Sequence, residues 1–449
     1  MGASYLPYGA PHANVSGRAR HWALAIRRAH PYKHGVARHD LAALALAAVV
    51  VVLAARDTLT QVPTVWAAWN VMAWELAHIL PRDAAPTAIA TVRGTVRDAA
   101  GRPIEGAIVI VPLPDGTTVE GRTRADGTVA VANLPVGRRP VWVGAPGMAP
   151  VVVEVEVADP SSRVGPAIEV TLVPVVASPG VDPADARARA RGQVIEGEAV
   201  PLACEAPVAA TALRSEVVAT RAGIGPGQAF RYRPDDGGAR WPTILVVYPG
   251  PAASWECASI PLAAAGFEVV AYGPPYGFDV EGEVGHLRTL MATLDGRPAV
   301  LAGSYSAIHA LRLVQDAPPG AIRAVALMGP PVDLFDLRRR LETEGWVPPF
   351  GLDRALVALG RPDREVARHA RYSARLHVAA SHPPMLVIHS RSDEVVPVAQ
   401  GEAYLRALAE AGVEAEGMIL DGGGHYLLST GGEAGAILDR TVAFLSGHQ

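Results

Sequence analysis

Three residues in the second half of the chain, Ser304, Asp393 and His425, have the types and the order that nucleophilic acyl transfer requires. A serine hydroxyl is a poor nucleophile until an imidazole takes its proton, and a carboxylate must hold that imidazole in the right tautomer. Ser304 lies in A-G-S-Y-S (302–306), between the apolar run PAVLAG (298–303) and the helical stretch SAIHALRLV (306–314). A nucleophile carried on so tight a strand-to-helix turn needs small residues two positions before it and two after it. Ala302 and Ser306 meet that need, and Ala307 follows. Ser306, the rival nucleophile, fails the same test because the branched Ile308 stands two positions beyond it.

Taken singly, each member has a plainer reading, since a serine or aspartate at a strand end is often only a helix cap. The order decides. Asp393 follows the apolar run MLVIHS (385–390) in RSDEVVP, and His425 follows a strand and glycine loop in GMILDGGGHYLL (417–428). Each therefore stands after a predicted strand, where an open α/β sheet gathers its catalytic groups. The oxyanion of acyl transfer needs two donors. One is the backbone N–H of Tyr305, the residue after the nucleophile. The other is expected from Y-P-G-P-A-A-S-W (248–255), after the strand TILVVYPG (243–250). Pro249 and Pro251 have no N–H to give, which leaves Gly250. No cofactor or metal site is expected: there are two cysteines, no CxxC and no ligand cluster.

From about residue 196 to 449, short apolar runs alternate with helical stretches, which predicts a parallel sheet flanked by helices. Residues 329–384 lie between two predicted strands and are expected to form helices that cap the pocket and choose the substrate. The stretches YPGPAASW, LAAAGFEVVAYGPPYG, AGSYSA, HSRSDEVVP and GGGHY, spread over residues 215–446, resemble the catalytic domain of the prolyl oligopeptidase and acylaminoacyl-peptidase group and related esterases. The resemblance implies an α/β-hydrolase fold and a serine hydrolase acting on a small ester or a short peptide. Tyr248 departs from the histidine usual at that point of the group's H-G-G-P-G-x-S-W loop. Peptidases of the group carry a β-propeller ahead of the catalytic domain, and nothing here has propeller length or blade repeats. That favours a carboxylic ester hydrolase, with a small-peptide serine peptidase as the alternative. A catalytically silent surface binding protein is the alternative from another class.

The 449 residues are too many for one ordinary core. Residues 1–40 are a polar, basic tail, followed by the uncharged run Leu41 to Ala55. As a helix that run rises roughly 22 Å, short of the ~30 Å hydrocarbon core unless Arg56 snorkels. We expect residues 41–80 to be a membrane anchor and a Trp-rich juxtamembrane segment, carrying Trp66, Trp69 and Trp74. The basic excess before the run puts that side in the cytoplasm and the catalytic domain outside it. If residues 58–80 also cross, the catalytic domain stays cytoplasmic. Residues 88–175 change to short β-rich runs separated by DAAGRP, LPDGT, RADGT and LPVG, the texture of an antiparallel sandwich. Their order resembles carboxypeptidase regulatory-like domains. That implies a small, seven-stranded, all-β prealbumin-like sandwich without chemistry of its own, and a spacer role. Residues 176–195 read as a linker.

The net charge of −4 gives no reason to expect nucleic acid as a partner. Cys204 and Cys257 are expected as two separately buried thiols, although in an exported domain they could pair.

Overall fold

The computed structural model describes residues 63–79, 89–158, 167–175, 183–202, 217–224, 227–235, 237, 240–274, 279–349, 352–428 and 433–448. The apolar run 41–55 and Cys204 lie outside them.

Eight strands follow one another first: β1 (Ile89–Asp98), β2 (Ile108–Pro112), β3 (Thr118–Arg122), β4 (Thr128–Pro135), β5 (Gly137–Gly144), β6 (Met148–Ala149), β7 (Val151–Val157) and β8 (Ala167–Pro174). They form two four-stranded sheets, β4-β1-β8-β6 and β3-β2-β5-β7. The alternation expected of a half-covered strand is plain in β8, where Ile168, Val170 and Leu172 point inward between exposed neighbours. Two features differ from expectation. Among the described residues there are eight strands rather than seven, and β1 pairs with β8 in parallel. In β2, every residue is buried, which a sandwich with a free outer face does not require.

The larger sheet is built from β9 (Val194–Val200), β10 (Val217–Ile224), β11 (Gly227–Pro234), β12 (Thr243–Val247), β13 (Glu268–Gly273), β14 (Ala299–Gly303), β15 (Val325–Met328), β16 (Met385–Ser390) and β17 (Ala415–Leu420). Its order is β17-β16-β15-β14-β12-β13-β11-β10-β9. The strands from β12 onward pair in parallel, and β9 to β11 add an antiparallel edge. The central strands are buried at every position because helices cover both faces. Leu245, Val247, Val300 and Val387 face α4 (Val280–Thr293), α5 (Ser306–Asp316) and α9 (Ala399–Glu410). Ile244, Val246, Leu301 and Ile388 face α3 (Glu256–Ala264) and α10 (Glu433–Gly447). β12 lies between β13 and β14, so the strand order reverses beside it, where open sheets of this kind place their ligands. This is the α/β-hydrolase architecture.

Between β15 and β16 lie α6 (Leu334–Thr343), α7 (Leu352–Ala358) and α8 (Val366–Tyr372). Leu334, Leu337, Leu352 and Leu356 pack with Ile308 of α5 and with Val395 and Val396, next to Asp393. The expected insertion is thus helical and lies against the nucleophile helix.

The spacer expectation misses a large contact. Ile108, Ile110 and Trp142 on the outer face of the β2–β5 sheet are buried against Phe335, Val366, Ala370 and Leu376 of that insertion. Trp142 meets the His377 ring edge-on at 6.3 Å, and Arg361 donates to the Pro114 carbonyl at 2.5 Å. The second covered face accounts for the fully buried β2.

The Trp-rich segment likewise binds protein. It forms α1 (Pro63–Ile79), which packs on α7. Asn70 donates to the Ala358 carbonyl at 3.3 Å, and Trp74 donates to Glu342 at 2.9 Å. The Arg368 guanidinium lies 4.0 Å over the Trp66 ring. Among the described residues no helix is long and apolar enough to cross a membrane. A further helix, α2 (Pro183–Arg191), falls in the stretch read as a linker. The reading of two free thiols is also corrected. Cys257 is disulfide-bonded, and the chain has only one other cysteine, Cys204.

Candidate active site

Ser304 stands between the end of β14 and the start of α5 with φ of +51°, a left-handed conformation unusual for a residue with a Cβ. Its N–H donates to the Met328 carbonyl of β15 at 2.9 Å, and its own carbonyl accepts from Ala307 at 2.9 Å. The turn is therefore pinned on both sides. Ala302, Ser306 and Ala307 are all fully buried beneath it, as the small-residue pattern requires. Gly303 is dictated by a neighbour. A Cβ there would come within 2.1–2.3 Å of the Tyr248 ring and hydroxyl.

The three residues chosen from sequence meet. His425 Nε2 lies 2.8 Å from Ser304 Oγ, and His425 Nδ1 lies 2.9 and 3.0 Å from the two Asp393 carboxylate oxygens. With Nδ1 donating to the carboxylate, Nε2 is left to accept the serine proton. Ser304 and His425 are both buried, which strengthens these bonds. Asp393 Oδ1 also accepts the N–H groups of Val395 at 2.9 Å and Val396 at 2.7 Å. Burial alone would raise the Asp393 carboxyl, but bonds from His389, His425 and the Val396 N–H outweigh it and hold it down at about 2.

His389 was not found from sequence. Fully buried at the end of β16, it reaches the Val396 carbonyl through Nε2 at 2.8 Å, with Asp393 Oδ2 at 3.4 Å from the same nitrogen. Its only signal was a polar side chain inside an otherwise apolar strand, four residues before Asp393. The loop bearing His425 is tied to the loop bearing Asp393 by two serines. Ser390 donates to the Gly422 carbonyl at 2.7 Å, and Ser392 Oγ accepts the Gly424 N–H at 3.1 Å.

Tyr305 occupies the N-cap of α5, so its N–H belongs to the first turn, whose donors have no acceptor within the helix. Gly250 follows Tyr248 in the loop after β12, whose carbonyl packs on Gly273 at the end of β13. Tyr248 itself is buried, with its ring centroid 3.7 Å from that of Trp255. Burial pushes its phenol well above the ordinary value, so the hydroxyl is a proton donor at every working pH. Its hydroxyl end lies against Gly303, one residue before the nucleophile. Among the described residues no group of histidine, cysteine, aspartate and glutamate is placed to hold a metal ion.

Comparison with known proteins agrees with this description. Residues 91–173 match the carboxypeptidase regulatory-like domain, and residues 352–448, which include Asp393 and His425, match the prolyl oligopeptidase family. No curated protein matches the chain. Similar solved structures include a truncated carbohydrate esterase from gut microbiota, 18% identical, with a TM-score of 0.38 over 49% of this chain and 90% of that one. Another is esterase 2 of the planctomycete Thermogutta terrifontis with butyrate bound, 20% identical, TM-score 0.38, over 49% of this chain and 89% of that one. A third is brefeldin A esterase, described as a bacterial homologue of human hormone sensitive lipase, 16% identical, TM-score 0.42, over 59% of this chain and 93% of that one. Likenesses this distant say nothing of substrate. The sheet architecture, the matched segments and the contact of serine, histidine and aspartate at the sheet's C-terminal edge are those of a serine hydrolase.

Proposed function

We propose that the protein is a membrane-tethered carboxylic ester hydrolase that works through an acyl-enzyme on Ser304. The observation that carries the reading is the unbroken hydrogen-bonded line from Asp393 through His425 to Ser304, with the serine held at positive φ. His425 Nε2 takes the Ser304 proton as Oγ attacks the ester carbonyl. The N–H of Tyr305 and a second donor, Gly250 or the Tyr248 hydroxyl, hold the oxyanion; one such donor is worth roughly 3 kcal/mol of transition-state stabilisation. His425 then protonates the leaving alkoxide, and the acyl group stays on Ser304. A water activated by the same imidazole attacks the acyl-enzyme, and the acid leaves as Ser304 recovers its proton. Aromatic rings stand beside these groups. Trp255 lies on Tyr248, and Tyr426 meets His425 edge-on at 5.7 Å.

A small-peptide serine peptidase is the second reading, favoured by the prolyl oligopeptidase match over residues 352–448. Turnover of p-nitrophenyl esters of graded chain length, set beside aminoacyl-anilides, separates the two. Faster hydrolysis of the anilides would reverse the assignment. A silent binding protein would fail to take up a fluorophosphonate on Ser304.

The tether is assigned to the apolar run 41–55, with the basic tail on the cytoplasmic side. Two observations support an extracytoplasmic catalytic unit. Cys257 is disulfide-bonded, and such bonds persist in oxidising compartments. Residues 63–79 spend their polar groups on α7 and Glu342, which speaks against a second crossing. Protease protection in sealed vesicles of known orientation tests the sidedness.

A further inference from the structure

A charged relay links the sandwich to the loop that touches the triad. Glu120 on β3 accepts from Arg375 Nη2 at 2.5 Å, and Arg375 Nε donates to Asp333. Asp333 is buried and caps α6, accepting the N–H groups of Phe335 at 3.1 Å and Asp336 at 3.2 Å. Its own N–H and that of Val332 donate to Gln400 Oε1 at 2.8 and 3.0 Å. Gln400 is buried at the start of α9, seven positions after Asp393.

The other end of this segment is Gly329, and the run between reads G-P-P-V-D (329–333). Gly329 has φ of +53°, and a Cβ there would lie 3.0 Å from Asp393 Oδ2 and 3.4 Å from His425 Cε1. Two consecutive prolines fix φ and stiffen the run, so a shift at Asp333 reaches Gly329 with little to absorb it. The Arg375 side chain is 13% exposed, Asp333 11% and Glu120 32%. The guanidinium thus bridges one carboxylate from the sandwich and one from the hydrolase. A buried charge bridged on both sides is held in place; with one partner gone it is free to re-aim.

We propose that Glu120 is a positioning residue for the triad: through Arg375 and Asp333 it fixes segment 329–333 against Asp393 and His425. The sandwich is then part of the catalytic unit. The inference rests on the hydrolase reading of Ser304.

The test uses the full chain and three variants. Glu120→Ala removes the acceptor for Arg375, Glu120→Gln keeps an oxygen there, and Arg138→Ala removes an exposed pair, with Glu154, elsewhere in the same sheet. For Glu120→Ala we expect kcat on a p-nitrophenyl ester to fall about fivefold with KM little changed, since a small misplacement of catalytic groups costs turnover. Fluorophosphonate labelling of Ser304 slows to the same extent. Glu120→Gln keeps most of the activity, Arg138→Ala keeps all of it, and all three melt with the parent. Wild-type kcat and labelling in Glu120→Ala would overturn the proposal, as would a loss shared by Arg138→Ala or matched by a fall in melting temperature. Failure of the parent chain itself to label would instead sink the hydrolase reading, and this inference with it.

Discussion

Glycine at position 304 should give a more stable protein than alanine does, although neither variant turns over an ester. Both substitutions remove the hydroxyl and its 2.8 Å bond to His425. They differ only in the Cβ, which sits on a backbone with φ of +51°. The left-handed conformation costs an L-residue about 1–2 kcal/mol, and alanine retains that cost in full. Glycine is free of it but loses about 0.5–1 kcal/mol more backbone entropy on folding. The balance favours Ser304→Gly by about 0.5–1 kcal/mol, which in a protein of this size is about 0.5–1 °C in melting temperature. Differential scanning calorimetry of the two variants in one buffer measures the difference directly. Both should lose several orders of magnitude in turnover, because the triad works as a unit. An alanine variant that melts at or above the glycine variant would refute the argument that the elbow stores strain at the nucleophile.

Ser306→Ala should retain most activity, since Ser306 is buried and serves the turn by being small; a fluorophosphonate label recovered on Ser306 would contradict this. Asp393, depressed from 3.8 to about 2, contributes about 2 kcal/mol of stability that is present above pH 4 and lost as pH falls toward 2. Melting temperatures of the parent and of Asp393→Asn should therefore converge over that interval, and parallel curves would count against the ionised acid. Tyr248→Phe should lower kcat by roughly tenfold or more with little change in fold if the hydroxyl is the second oxyanion donor; unchanged kcat assigns that place to Gly250. Removing residues 1–62 should leave the melting temperature unchanged, whereas removing residues 1–87 takes α1 away and uncovers the surface under Trp66 and Trp74. The second truncation should melt several degrees lower, and equal melting would show that α1 contributes nothing to the fold.

The parts legible in the sequence were those fixed by local constraints. The triad could be read because each member follows a largely apolar run, and because an elbow admits only small side chains at positions 302 and 306. The parallel sheet could be read because central strands covered on both faces are continuously apolar. What could not be read were contacts between distant segments. Nothing around Trp142 tells it from any other sandwich aromatic, yet it lies on His377, and Trp66 lies beneath Arg368 some three hundred positions away. The Trp-rich composition of residues 63–79 fits a membrane interface and a protein groove equally well, because both accept a flat amphipathic ring. The partners Ala358, Glu342 and Arg368 could not be read from that composition. Cys257 was misread for the same reason, since a buried thiol and half of a disulfide look alike along the chain.

These long-range contacts converge on one part of the molecule. Helix α1 packs on α7 through Asn70 and meets Glu342 of α6 through Trp74. The sandwich covers α6 and α8 through Ile108, Ile110 and Trp142. Both α1 and the sandwich therefore brace the insertion between β15 and β16. That insertion begins at Gly329, in contact range of Asp393 and His425, and its apolar side packs on Ile308 of the nucleophile helix. On the proposed ester-hydrolase reading, an insertion in that position shapes the space above Ser304, and its rigidity sets which acyl groups fit. Loosening either brace should then broaden the range of esters accepted before it abolishes hydrolysis. Loss of the core strands would do the reverse, ending turnover of every ester together.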